Sequence, residues 1–328
     1  MLKQSKVATL RTNEKAPMTL RDMLLNYGFY FVILCLITFF AVKSEYFLTV
    51  RNFLNISTQA GYLIVVAIGV MLTILTGGID LSVGSVLAFS CILGCTVMQK
   101  TQSVPIGIAA NLLVATVCGF INGITVAVLQ LPAFIATMAM MNVTGGLALY
   151  LTGGQSITGL PANYKNIGWN KIGQIPVTLI LALIIFLIMW FLLRRTEYGR
   201  KLYAVGGNAK ASNIMGINVT TTVIIAYTLS GLMAGIGGVM LSSRLAAARC
   251  TMASTLQMDA VTAVVVGGTS MYGGRGSVVG TLIGACLISI IRNGLNLIEL
   301  NYYYQLVITG VIIILAVAID CMKQLRDK

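Results

Sequence analysis

The sequence predicts an all-α, polytopic integral membrane protein of about ten transmembrane helices, some of them short or broken. Three observations carry this. The chain is 57% hydrophobic and 9% charged, where soluble domains carry roughly 25% charged residues. Apolar runs of bilayer length recur along its whole length. The 22 Lys and Arg residues, which leave a net charge of +13, gather in an N-terminal tail, one central loop and the C-terminus. That is the positive-inside distribution of a membrane protein, not the single basic stripe of a nucleic-acid binder.

The first 22 residues are polar and basic, with Lys3, Lys6, Arg11, Lys15 and Arg21. Met23 to Val42 follows, long enough to span and lacking an Ala-x-Ala exit, so it reads as a retained signal anchor behind a cytoplasmic tail. Further spans are expected at 61–76, 82–98, 106–129, 132–151 and 175–193. The segment 194–218 carries Arg194, Arg195, Arg200, Lys201 and Lys210 and is expected in the cytoplasm. Six spans precede it, which agrees with a cytoplasmic N-terminus. Spans at 220–241, 277–292 and 303–320 come next, with a short one from Ala260 to Gly268. Lys323, Arg326 and Lys328 mark 321–328 as a cytoplasmic tail, which requires an even number of spans after 218 and so retains the short one. Eight spans is the alternative count. The loops 152–174 and 242–258 then face outward, although Lys165, Lys171, Arg244 and Arg249 run against the charge rule there.

Within this frame one run stands out, Thr76-Gly-Gly-Ile-Asp-Leu-Ser-Val-Gly-Ser85. A carboxylate, Asp80, beside glycines at the end of a bilayer-length segment is costly unless something pairs with it or solvates it. A glycine-rich break next to it suggests a half-helix facing a protein-lined cavity. A polar turn just outside the membrane is the plainer alternative. About 190 residues later, Val266-Gly-Gly-Thr-Ser-Met-Tyr-Gly-Gly-Arg-Gly-Ser-Val echoes the run. Both follow an apolar stretch and both restart a helix, so an internal two-fold repeat with breaks at Gly77–Asp80 and Gly267–Gly276 is expected. Arg275 in the second break could pair with Asp80.

Small residues recur at spacing four, in Gly119/Gly123, Gly231/Gly235 and Gly276/Gly280/Gly284. Such faces let helix backbones approach in lipid, within one subunit or between subunits. Cys35, Cys91, Cys95, Cys118 and Cys286 lie in apolar spans and read as small packing residues. Tyr164, Trp169 and Tyr302 to Tyr304 sit near span ends, where interfacial anchoring is their expected role. The chain has no histidine, which excludes His-based catalysis and His-ligated metal. No lysine follows a glycine, so there is no P-loop, and no metal or cofactor is expected. In the central loop, Asn208 is a good N-cap, Ala209 to Met215 can form about two helical turns, and Gly216 is a natural C′ residue. An ordinary charged loop is the plainer reading of that segment.

Taken together, several runs resemble the membrane permease subunits of bacterial ATP-binding-cassette importers for monosaccharides, of the ribose, xylose, arabinose and galactoside kind, with the ribose type nearest. They are Leu75-Thr-Gly-Gly-Ile-Asp-Leu-Ser-Val-Gly-Ser85, Pro132-Ala-Phe-Ile-Ala-Thr137, Tyr198-Gly-Arg200, Ala204-Val-Gly-Gly-Asn208, Ser212-Asn-Ile-Met-Gly-Ile-Asn218, Asp259-Ala-Val-Thr-Ala-Val-Val-Val-Gly-Gly-Thr-Ser270, Gly273-Gly-Arg-Gly276 and Asn293-Gly-Leu-Asn296. They stand in family order over nearly the whole chain. Arg249-Cys-Thr-Met252 and the Arg275 turn depart from the pattern and leave the substrate open.

The resemblance implies a permease domain over 23–320 in a bacterial inner membrane, without an ATPase site of its own. Its partners would be a cytoplasmic ATP-binding subunit, a periplasmic sugar-binding protein and a second permease subunit, expected as a homodimer. Asn208, Ala209, Lys210, Ala211, Ser212 and Gly216 would then form the element that contacts the ATPase. Asp80, Ser82, Asp259 and Asn293 become path or gate residues for a neutral sugar. Two rivals remain open: a permease of the same family for a signalling furanone or nucleoside, and an ion-coupled secondary transporter with Asp80 carrying the coupling charge.

Overall fold

The computed structural model describes residues 37–301, 303–312 and 314. In chain order the helices are α1 (37–43), α2 (Val50–Leu75), α3 (Val83–Thr101), α4 (Val104–Ala127), α5 (Ala133–Thr152), α6 (Lys165–Trp169), α7 (Val177–Arg195), α8 (Glu197–Gly207), α9 (Ala209–Ile214), α10 (Val219–Leu245), α11 (Leu256–Val266), α12 (Val278–Leu297) and α13 (Tyr303–Ile312). A two-stranded hairpin, β1 (Lys171–Ile172) and β2 (Ile175–Pro176), closes the loop before α7.

Seven of these helices are long and apolar enough to cross a membrane: α2, α3, α4, α5, α7, α10 and α12. They match seven of the expected spans. The short tenth span is α11, of 11 residues. Residues 23–36 of the first expected span, and 313 and 315–320 of the last, lie outside the described residues, as do both tails.

The middle of the bundle is α2, whose residues from Leu63 to Leu75 are all buried. It packs on α7, α10, α11 and α12. Its N-terminus lies further back than the hydrophobicity indicated, because Thr49 caps it by accepting from Asn52 N. Helices α4, α5 and α7 form the outside and carry Leu113, Phe120, Phe134, Ile135, Leu187 and Phe191 exposed. Such a face suits hydrocarbon.

The spaced small residues serve packing within the chain. A Cβ at Gly119 would stand 2.9 Å from Gly231 Cα, so α4 and α10 cross backbone to backbone. The second ladder does the same between α11 and α12, where Gly284 lies against Ala263 O and Gly280 against Gly267 O. Cys91, Cys95 and Cys118 are buried free thiols, as their apolar setting implied.

The loops sort to two ends. Gln99 donates to Thr158 O, Ile157 bridges Ala248, and Trp169 Nε1 donates to Arg244 O. These place the 153–176 and 244–249 segments together. At the other end Leu75, α8, α9 and the C-terminal residues of α4 meet. That division agrees with the side-to-side alternation the span count demanded.

Two expectations need correction. Tyr164 is no interfacial anchor. It is 1% exposed and its hydroxyl lies 2.6 Å from Ser242 Oγ inside the bundle. Trp169, Tyr303 and Tyr304 are exposed as expected, and Tyr302 lies outside the described residues. The central segment holds two helices, not one. Thr196 caps α8 by accepting from Gly199 N, Glu197 pairs with Lys201 at 2.7 Å, and Leu202 and Val205 turn inward. The charges that read as a loop line the outer face of an amphipathic helix.

Candidate functional site

The run around Asp80 is extended backbone between two helices. Helix α2 ends at Leu75, where Gly77 N donates to Ile74 O and Gly78 N to Thr73 O. Gly77 has φ +84°, a left-handed turn that glycine takes without strain. The chain then doubles back into the bundle and α3 begins only at Val83.

Asp80 is 2% exposed. Its Oδ1 accepts from Ser82 N at 3.0 Å and Ser82 Oγ at 2.7 Å, and its Oδ2 from Ser230 Oγ at 3.0 Å. Ser230 lies on α10 about 16 Å from its start, at about 1.5 Å per residue. The carboxylate therefore sits within the bundle's thickness, not in a turn outside it. Hydroxyls and a backbone amide satisfy it, and the expected Arg275 is not among its partners.

The surrounding groups form a connected polar knot. Asn122 Nδ2 of α4 donates to Ser82 Oγ at 2.8 Å. Thr137 Oγ1 of α5 donates to Ile79 O at 3.1 Å, and Thr144 Oγ1 to Ser85 Oγ at 2.9 Å. Ser82 has one hydroxyl proton, given to Asp80, so Asn122 must present its amide hydrogens to Ser82. That leaves Asn122 Oδ1 buried without a donor, and Tyr227 Oη beside Gly78 is likewise unpaired. The interrupted segment is thus gripped by α4, α5 and α10 at once.

The second break has the same form. Helix α11 ends with Gly268 N donating to Val265 O and Thr269 N to Val264 O, and Gly268 has φ +86°. The echo is real in backbone, but its register differs by one residue from the sequence match: Gly77 corresponds to Gly268, not Gly267. Before α11, residues 249–255 dip inward to the start of α3, where a Cβ at Gly84 would stand 2.7 Å from Ala253 O. Asp259, 3% exposed, is paired with Arg292 Nη2 at 2.6 Å, which joins α11 to α12. Asn293, the next residue of α12, is buried with Oδ1 unpaired. The structure thus brings Asp80 to Ser82 and pairs Asp259 with Arg292, and no hydrogen bond among the described residues joins Asp259 to Asn293. No hydrogen bond or ion pair among the described residues joins one pair to the other.

At the end where α2 stops, Asn208 closes α8 and opens α9, its side chain accepting from Ala211 N at 2.9 Å. Gly216, φ +81°, ends α9, with Ile217 N donating to Ser212 O. Both caps are where the sequence put them. Ser212 is buried, Ala211 half-buried, and Ala209, Lys210 and Gly216 are exposed. So are two large apolar side chains, Ile214 at 87% and Met215 at 68%. A groove of about 660 Å³ runs between α9 and the ends of α4 and α10, lined by Val126, Gln130, Lys210, Asn213 and Val223 among others. The ammonium of Lys201 holds the Glu197 carboxyl below its usual range, and burial raises the Tyr203 hydroxyl above its own. Sequence reasoning missed Ser230, Tyr227, Arg292 and the whole of α8. Ser230-Gly231 within an apolar span was the one visible sign of the first.

A polytopic all-α bundle built around interrupted membrane segments, with a short capped helix held outside, is the architecture of a transport protein. The chain belongs to the permease family described as branched-chain amino acid transport system / permease component, whose pattern matches residues 52–317. It is 39% identical over 296 residues to the ribose import permease protein of Escherichia coli strain K12, covering 89% of this chain and 92% of that one. It is 40% identical over 293 residues to the ribose import permease protein of Bacillus subtilis strain 168, covering 88% and 90%. The D-allose transport system permease protein of Escherichia coli K12 is 34% identical over 310 residues, covering 94% and 95%. No solved structure matches the chain.

Proposed function

We propose that this chain is the transmembrane permease subunit of an ATP-binding-cassette importer that moves ribose or a similar sugar into the cytoplasm. The observation that carries the reading is the 39–40% identity, over about nine-tenths of the chain, to proteins named as ribose import permeases. Similarity to an allose permease at 34% keeps other monosaccharides within reach. In this reading a partner ATPase supplies the energy, a periplasmic binding protein delivers the sugar, and a second copy of the chain completes the pathway in the inner membrane. Both termini and the 194–218 segment face the cytoplasm.

Asn208, Ala209, Lys210, Ala211, Ser212 and Gly216 form the ATPase contact. Its support is the pair of caps, the exposed Ile214 and Met215, and the groove beside them. Asp80, Ser82, Asp259 and Asn293 are path or gate residues, supported by the burial of polar groups inside the helical bundle. The test is ATP-dependent sugar uptake into vesicles holding the permease, its ATPase and its binding protein. Uptake that persists without the ATPase and collapses with an ionophore would make the chain a secondary transporter instead.

A further inference from the structure

We propose that Gly206 and Tyr203, at the end of α8, are positioning residues that tie the ATPase-contacting segment to both interrupted segments at once, a proposal that rests on the reading of α9 given above. Three stretches of main chain meet there: the end of α2, the end of α8 and the loop between α11 and α12. Gly274 N donates to Leu75 O at 3.0 Å. A Cβ at Gly206 would overlap both Leu75 O and Gly274 N. A Cβ at Gly273 would stand 2.8 Å from Gly77 N and 2.9 Å from Gly206 O. Tyr203, one turn earlier on α8, donates its hydroxyl to Gly276 O at 2.9 Å.

This contact differs from ordinary helix packing in what it joins. Each of the two loops is the point where a membrane segment stops, turns at a positive-φ glycine and restarts. Asp80 lies three residues beyond Gly77 in one of them. Helix α8 touches the end of α2, where the first break begins, and the second break itself, and it shares the single residue Asn208 with α9. A displacement of α9 therefore has no slack loop in which to dissipate. At the junction the touching atoms are backbone, and no rotamer change relieves a push. Close-packed contacts of this kind transmit strain. One motion of α8 would reset both breaks together, which is what two halves of a repeat need to open in concert.

The experiment places single cysteines at Asn213 on α9, at Ile79 in the first break and at Tyr272 in the second, in a background freed of the seven native cysteines. Thiol reactivity is read in the vesicle-reconstituted complex with and without a trapped nucleotide. In the parent all three positions are expected to respond. With Gly206→Val the response at Asn213 persists while those at Ile79 and Tyr272 are lost, and sugar uptake falls with hydrolysis retained. Tyr203→Phe keeps the ring packing and guards against simple misfolding. It is expected to lower sugar moved per ATP about fivefold, the scale of one neutral hydrogen bond. Breaks that still respond in the Gly206 variant, or a Tyr203→Phe protein coupled like the parent, overturn the junction and leave α9 as the ATPase contact. A parent in which Asn213 never responds overturns the α9 reading and the junction with it.

Discussion

Removing Arg292 alone is expected to harm the protein more than removing its whole ion pair. Among the described residues Arg292 Nη2 is the hydrogen-bond donor to the Asp259 side chain, at 2.6 Å, and Asp259 is 3% exposed. Arg292→Met leaves that carboxylate stranded between α11 and α12. Breaking a buried pair in this way costs about 3–5 kcal/mol, because the remaining charge keeps its desolvation penalty and loses its partner. Arg292 keeps 27% of its side chain outside the packed interior, so the pair is not fully enclosed and the lower end of that range applies. The double variant Asp259→Leu/Arg292→Met removes both charges at similar volume, and such replacements are often neutral or stabilising by about 1–4 kcal/mol. The two single variants and the double then give an interaction energy of at least about 3 kcal/mol in a mutant cycle, at the upper end of what groups in direct contact show. Equilibrium unfolding in mixed micelles measures it. An Arg292→Met protein within about 0.5 kcal/mol of the parent, with additive behaviour in the cycle, would refute the argument. Uptake by the double variant separates the two roles of Asp259. A folded double variant without uptake keeps Asp259 in the sugar path, and one that transports at the parent rate removes it.

Three further outcomes follow from the same geometry. Asp80→Asn is expected to insert normally but to transport poorly, because an amide presents one acceptor where Ser82 and Ser230 need two. Membrane abundance and uptake measured side by side check it, and normal uptake at normal abundance returns Asp80 to a structural role. Asn208→Ala removes the α9 cap, worth about 1 kcal/mol, and Ser212→Pro removes the N–H bonded to Asn208 O at about 3 kcal/mol. Either exceeds what a helix of six residues can spare, so ATPase co-purification should fall while insertion survives. A cysteine at Asn213 should react with an impermeant reagent from the cytoplasmic side alone, and labelling from outside would invert the orientation.

What was legible in the sequence was what local chemistry determines. Both caps of α9 and both interruptions show as Asn and Gly at positions where a helix must start or stop. What was hidden depends on distant chain. Helix α8 has few apolar residues, and Leu202 and Val205 register as a buried face once α2 and the 267–277 loop lie against it. The inward dip of 249–255 has no signature of its own, since the Ile157–Ala248 bridge and the approach to Gly84 set its course. The partner of Asp80 is the instructive case, since backbone N–H groups and a cation were both open to it. Charge logic calls for a cation, and the nearest basic residue in the echoing turn was Arg275. The fold instead surrounds the carboxylate with Ser82 and Ser230, while the guanidinium that does enter the bundle, Arg292, answers Asp259. A hydroxyl ring can be rearranged by small shifts of three helices, whereas the Arg292 pair resists separation. The two carboxylates are therefore held by different means, Asp80 by groups from the first break and α10 and Asp259 by an ion pair between α11 and α12.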